Sequence, residues 1–596
     1  MNSKWTRSLL ATTALMFVGT GAIAAELNFT PVPFPGTDAE KRAVLASESV
    51  DIDGQKHPIG YHVLARSGDK FGDNTFALLT DKDSKPVKSS DGSEHISVDA
   101  DFTSLLPVGD KLFSVTHFES RPGAMYLSEL NQADDGTLTI KSTKPIDFSA
   151  FEGLWVPCAG SVTPWNTHLG SEEYPPDARG VENAKSMDEI DDYYKPMIRY
   201  VGFDPATVTI DEFKAGFNPF AYGYPTEITV KEDGSYTVDK HYAMGRVAVE
   251  LAKVMPDEKT VYISDDGTNV GFFMFVADVA GKLDAGTLYA AKWNQTLSTG
   301  AGAADISWVN LGHANSADVS KAIKDDVKFS DLFETADIAD DGSCPAGFMT
   351  SNAEERAECL KVKPGMEMLA SRLETRRYAS MLGATTEFRK EEGITLDPAT
   401  KTLFVAMSEV NSGMENAAKG GKPTDRYEKG GNNDIRLTAN NCGAVYALPL
   451  VTDDTIGSDY VVKSTHTLVA GVPTTYADDS PYAGNTCDID GIANPDNVTF
   501  MEGYNTLIIG EDTGSGHQND VVWAYNMATG KLTRIFSTPY GSETTSPYFY
   551  GNVGGHAYLT AVVQHPYGES DEDKLADPTD ARAYVGYIGP FPALMN

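Results

Sequence analysis

Cysteine is scarce in this chain of 596 residues: there are five, an odd number, too few for a fold stapled throughout by disulfides. Positive charge is scarce too. Against 85 Asp and Glu stand 48 Lys and Arg, a formal net charge of -37, which argues against nucleic acid and anionic membrane surfaces as partners. After the first residues, no stretch approaches the roughly 18 consecutive apolar residues of a spanning helix, so no integral membrane segment is expected. Several catalytic devices are also missing. There is no phosphate-cradling Gly-x4-Gly-Lys-Ser/Thr loop, no His-Glu-x-x-His and no Gly-x-Ser-x-Gly, which removes P-loop, helical zinc-protease and serine-hydrolase readings. Asp337 to Asp341 begin like a calcium loop, but the twelfth position is Phe348 where a bidentate glutamate is needed.

What is present begins with an export signal. Lys4 and Arg7 precede an apolar run at 9–18 and a small-residue site at Ala22-Ile23-Ala24, the pattern of a Sec-type leader over residues 1–24. The mature protein is therefore expected to be periplasmic or secreted. From there short β-type runs alternate with turns, for example at 61–65, 111–116, 260–264, 403–407, 506–509 and 558–563, with Asp-Gly turns at 91–92, 135–136, 233–234 and 266–267. Many short strands and 54 glycines predict an all-β chain. At this length a β-propeller is favoured over a sandwich, because radial repetition leaves no long open edges. Residues 25–596 read as a single propeller domain. Two stretches break its rhythm, near 186–216 and 321–384, and read as helical or loop insertions that could lie over one face.

The stretch 154–177, LWVPCAGSVTPWNTHLGSEEYPPD, carries Cys158 and the pair Glu172-Glu173 on a segment stiffened by Gly and Pro. Thiolate and carboxylates gathered in this way suit a metal ion. Of the three pairings open to the other four cysteines, 344–359 with 442–487 is the most local. Cys158 is then left over, and a thiol in an oxidising compartment is kept by burial or by metal. Further acids stand near strand ends or turns: Glu119, Glu250, Asp265-Asp266, Glu392 beside Lys390, Asp496, Glu511-Asp512 and Glu543.

These segments match a pattern. With CAGSVTPWNTHLGSEE, GRVAVELAKVMPDEKTVYISDDGTNVGFFMF, EGITLDPATKTLFVAMSEV, CGAVYAL, GIANPDNVTF, GEDT with HQND, and VVQHP, the chain resembles the PhoX family of bacterial alkaline phosphatases over roughly residues 60 to 590. The resemblance implies a six-bladed propeller with ferric iron (Fe3+) and calcium (Ca2+) at one end of its axis, hydrolysing phosphate monoesters of small molecules as a monomer. It makes Cys158 the thiolate ligand of iron and Glu173, Glu250 and Glu392 cluster carboxylates, with Asp496, Glu511 and Glu543 as further ligands. Lys390 takes the place of a basic residue facing the phosphate, with Arg389 the alternative there and Glu391 the alternative to Glu392. Glu119 falls at the catalytic site, with His117 and His565 beside it. Two features depart from the family's better-known members: the leader is Sec-like rather than twin-arginine, and THFE stands where they carry Asn-His-Glu.

Chemistry agrees with the assignment. Hydrolysing a phosphomonoester means neutralising a dianion and supplying a strong nucleophile, which bound metal ions accomplish. One thiolate among many carboxylates suits iron with calcium better than structural zinc, which favours several Cys or His. Two other readings remain open: a phosphodiesterase on the same scaffold, or a non-catalytic calcium-binding propeller.

Overall fold

The computed structural model describes residues 25–594; the leader expected at 1–24 lies outside them. The chain is mostly β, and its main strands form six antiparallel groups in chain order, four of them separate sheets and two of them parts of one ten-stranded sheet. Blade 1 comprises Ala100–Val108, Lys111–Phe118, Ala124–Gln132 and Leu138–Pro145. Blade 2 is built on Ser161–Val162, His168–Gly170, Thr226–Val230 and Tyr236–Lys240; its first two strands lie in the Gly- and Pro-stiffened stretch 154–177. Blade 3 holds Val249–Val254, Thr260–Asp265, Phe273–Val279 and Lys282–Leu297. Blade 4 holds Glu391–Asp397, Thr402–Met407, Ala444–Asp453 and Ser464–Ala470. Blade 5 runs from Pro495–Met501 through Thr506–Glu511 and Val521–Asn526 to Leu532–Ser537, with Leu45–Ala46 at its rim. Blade 6 combines Tyr548–Val553, His556–Val563 and Tyr584–Pro592 with Gly60–Arg66 from near the N-terminus. Ala303–Asn315 pairs with the last strands of blades 3 and 4 and joins the two into one ten-stranded sheet.

The core is divided among the seams between blades. Leu251, Tyr262 and Met274 of blade 3 meet Ile394, Leu403 and Tyr446 of blade 4. Phe404 and Val445 meet Val498, Leu507 and Trp523, and Ile508 and Val522 meet Leu559 and Ile588. Tyr558 and Tyr587 meet Leu105 and Leu112, closing blade 6 on blade 1. Because each blade is covered on both faces, its inner strands are buried on both, as in Thr260–Asp265, where every residue is buried and Val261, Tyr262 and Ile263 follow one another. That is why these strands read as short continuous apolar runs rather than alternating ones.

Apart from Asp38–Lys41, the α-helices of the described residues fall in two stretches, 178–216 and 316–381. Those of the first, such as Ile210–Gly216 with its Thr209–Glu212 capping box, and those of the second, such as Glu367–Leu373, share one apolar cluster with Trp155 of the Cys158 segment. Cys344 is bonded to Cys359 and Cys442 to Cys487, leaving Cys158 free and buried. The local pairing is the one that forms.

Candidate metal centre

In an antiparallel pair, the start of one strand lies beside the end of the next. The start of each blade's innermost strand and the end of its second strand therefore share one mouth of the ring, and the acids collect there. Four innermost strands also carry the same irregularity. Two residues oppose one at Asp101-Phe102, Glu250-Leu251, Glu392-Gly393 and Asp496-Asn497. A bulge of this kind re-aims a side chain, and in each case the first bulged residue is a carboxylate lining one cavity of about 570 Å³. At Gly393 the geometry tolerates no side chain: a Cβ would stand 2.5 Å from the Asn497 Cα of the neighbouring blade. Asn497 in turn donates to Glu250, at 2.9 Å, and to Asp496, at 2.8 Å.

The cavity gathers Cys158, Glu173, Glu250, Glu392, Asp496, Glu543, Glu119, Lys390, Arg389 and His565, all singled out from the sequence. Their donor atoms form trios within 4.8 Å: Asp101, Glu119 and Cys158; Cys158, Glu173 and Glu250; Glu250, Glu392 and Asp496; and Glu543, His565 and Glu569. Cys158 and Glu250 each belong to two trios, so three of the four are continuous. Backbone strain clusters here as well. Val156, Tyr174, Lys390, Asn494, Ser546 and His565 all have positive φ, between 28° and 50°, and at functional sites such conformations are held in place by the surrounding structure.

Electrostatics mark the cavity as short of cations. Burial first, then the neighbouring carboxylates, push Glu173, Glu250 and Asp496 well above the usual carboxylate range, and Glu392 to about 8. The Cys158 thiol, 3.5 Å from Asp101 Oδ2, is pushed up by burial and by Asp101. Asp496 Oδ2 is buried without a hydrogen-bond partner. Against burial, Asp266, Glu392 and Asp512 hold Lys390 charged; its Nζ lies 3.5 Å from Glu392 and 3.6 Å from Asp512. Arg389, the alternative, is spent on Glu409 and Thr268. A set of buried oxygens and one sulfur that stress one another in this way fits multivalent cations.

Four expectations need correction or refinement. Glu511 does not line the cavity. Its carboxylate accepts from the N–H groups of Ala493, Val521 and the Trp523 indole and bonds His517 Nδ1, all at 2.7–3.0 Å, while Asp512 takes the place at the wall. Glu391 likewise points away from the cavity, leaving Glu392 at the wall. His117 is a core residue. Burial lowers it to about 4, its Nδ1 donates to the Cys158 carbonyl at 2.5 Å, and its Nε2 meets His168. Glu119 is in the cavity, held by Gln564 at 2.8 Å, but its trio with Asp101 and Cys158 makes it a candidate ligand as well as a catalytic acid.

Sequence reading did not assign Asp99, Asp101, Asp266, Asp512, Glu569 or Arg121, which also line the cavity. Asp266 and Asp512 carried a usable signal, the acid doublet at a strand end. In each doublet one carboxylate supports the scaffold and the other faces the cavity. Asp265 pairs with Arg376, and Glu172 binds Lys240 and the Gly223 N–H, whereas Asp266 and Glu173 line the wall.

A family model described as alkaline phosphatase PhoX matches residues 124–566. Among solved structures, Pseudomonas fluorescens PhoX in complex with vanadate, a transition state analogue, is similar over 95% of this chain and 98% of its own, at 17% identity and a TM-score of 0.58. A putative 6-phosphogluconolactonase from Bacteroides uniformis is similar over 87% of this chain and 98% of its own, at 11% identity and a TM-score of 0.28. The hemagglutinin-neuraminidase ectodomain of parainfluenza virus 5 covers 93% of this chain and 87% of its own, at 8% identity and a TM-score of 0.32. Those two add nothing to the fold. No curated protein matches the chain by sequence.

Proposed function

The chain belongs to the PhoX family of alkaline phosphatases, and from that membership we propose that it is an exported, metal-dependent phosphomonoesterase holding ferric iron and calcium. The observation that supports this best is the repeated bulge, which turns Asp101, Glu250, Glu392 and Asp496 toward the thiol of Cys158 in one buried cavity. Cys158, Glu173, Glu250, Glu392 and Asp496 would hold the ions nearest the thiol, with Asp101 and Glu119 beside them. Glu543 and His565, with Glu569, would hold one at the rim. Bound there, such ions supply the positive charge that a phosphate dianion needs and acidify water.

The residues of the chain do the rest. Lys390, kept charged by three carboxylates, meets the phosphoryl oxygens and balances the charge that grows on them. Asp512 and Glu392 fix where its ammonium stands. His117 anchors the Cys158 carbonyl and so sets the thiol's approach to the axis.

Cys158→Ala tests the reading. It should abolish iron retention and lower hydrolysis of p-nitrophenyl phosphate by at least about a hundredfold, the usual scale for losing metal-assisted charge stabilisation, while the protein stays folded by circular dichroism. Unchanged iron and unchanged rate would remove the thiolate from the centre. Iron and calcium present with turnover of bis(p-nitrophenyl) phosphate alone would make the enzyme a phosphodiesterase. Calcium alone with no turnover would make it a binding propeller.

A further inference from the structure

A second cavity of about 530 Å³ adjoins the first and shares Tyr174, Tyr193 and Asp266 with it. Its wall on the side of the first cavity is aromatic, while Asp191, Asp266, Glu354, Glu355 and Arg376 line the rest. Tyr174 and Tyr193 meet edge to face with ring centroids 6.1 Å apart, and Tyr174 is 36% exposed, high for a ring of its size. Tyr194 extends the same wall.

The one cation of this second cavity is already paired, while Asp191 and Asp266 accept hydrogen bonds but make no ion pair. Arg376 is bound to Asp265 and Glu354, Glu354 also to Arg356, Glu355 to Arg426, and Asp191 caps the backbone of Tyr193. Among the described residues it offers no unpaired cation, so a second phosphate has nothing to bind there. An uncharged planar ring has two tyrosines to lie against.

Arg121 stands at the seam. Its guanidinium lies 3.7 Å from the Tyr193 ring centroid, and its buried Nε has no hydrogen-bond partner. Among the described residues it makes no ion pair, although it lines the acidic cavity, where Lys390, Arg389 and His565 are all paired. Stacking fixes the ring that faces the second cavity.

We propose that this second cavity is the leaving-group subsite for phosphate monoesters of uncharged aromatic alcohols, with Tyr193 the residue that sets the preference and Arg121 the residue that holds its ring in place. The inference rests on the phosphomonoesterase reading. The phosphoryl group faces Lys390, and the ester oxygen's substituent crosses the seam. As water bonds to phosphorus the P–O ester bond breaks, and the phenol takes the proton and departs through the tyrosine wall.

Binding tests it without turnover. Calorimetry on the metal-loaded protein should show phenylphosphonate bound about tenfold more tightly than methylphosphonate, the scale of one aromatic contact with its buried area. Tyr193→Leu should erase most of that margin and leave methylphosphonate unchanged, while Tyr193→Phe should keep it. Equal affinities in the wild type, or an equal loss of both ligands in Tyr193→Leu, would overturn the subsite. The wild-type comparison stands even if the leucine variant does not fold. Turnover of p-nitrophenyl phosphate and glycerol 2-phosphate, measured in parallel, separates the two claims. A margin in binding with neither ester hydrolysed supports the subsite and breaks the catalytic reading; hydrolysis of both esters without a margin overturns the subsite alone.

Discussion

Two neighbouring acids, Glu511 and Asp512, show how much one residue's direction decides. Glu511 ties the end of its strand to the Trp523 indole and two backbone N–H groups; Asp512 faces Lys390 across the cavity. Glu511→Gln should cost about 1–3 kcal/mol of stability, the price of leaving buried donors unpaired, with metal content unchanged. Asp512→Asn should leave the unfolding free energy within about 0.5 kcal/mol of the wild type and raise KM or lower kcat by loosening Lys390. Urea titration and elemental analysis of the pair check this, and the reverse pattern would return Glu511 to the ligand set. The doublets themselves are legible in the sequence. Which member faces inward is not, because side chains alternate along a strand and a bulge resets the alternation. Asp101 was unreadable for another reason: in DADFTS it is one of several acids near a strand start, and only the bulge opposite His117 turns it to the axis.

At the scale of the element, the bulged inner strand is the device that builds the centre, and Gly393 is where it is tightest. A methyl group there would press on the Asn497 backbone at 2.5 Å, which cannot rotate away as a side chain could. Gly393→Ala should therefore destabilise by about 1–3 kcal/mol and lower metal occupancy as well, since it parts Glu392 from Asp496; elemental analysis at matched folded fraction would read the second effect. The helical stretches carry a different signature. Burial raises the Glu354 carboxyl, but Arg376, Arg356 and Arg377 outweigh it and bring it from 4.5 to about 2. A depressed folded-state value stabilises the protein above pH 4.5, and that contribution is lost as the pH falls toward 2. Glu354→Gln should remove that part of the acid slope in a plot of urea midpoint against pH; an unchanged slope would deny the ion network its role. That network joins Glu354 to Arg376 and Asp265 across residues far apart in the chain, so no local pattern in the sequence announces it.

Across the whole molecule, the turn rhythm and the short apolar runs made an all-β fold readable, and the pairing of Cys344 with Cys359 and Cys442 with Cys487 followed from locality. The blade number did not come from composition, because the repeats are soft; it came with the family resemblance, and the main strands fall in six groups, two of them fused in one ten-stranded sheet. Ring closure was hidden as well, since Gly60–Arg66 pairs with Tyr584–Pro592 from the other end of the chain. A net charge of -37 repels a phosphate dianion at long range, so affinity must come from the cavity's own cations. The most direct measurement is hydrolysis of p-nitrophenyl phosphate at alkaline pH by the purified protein, before and after chelation, with elemental analysis of the same sample. The account predicts turnover that falls with iron and calcium content and returns when both are restored. Full turnover by protein stripped of both metals would contradict it.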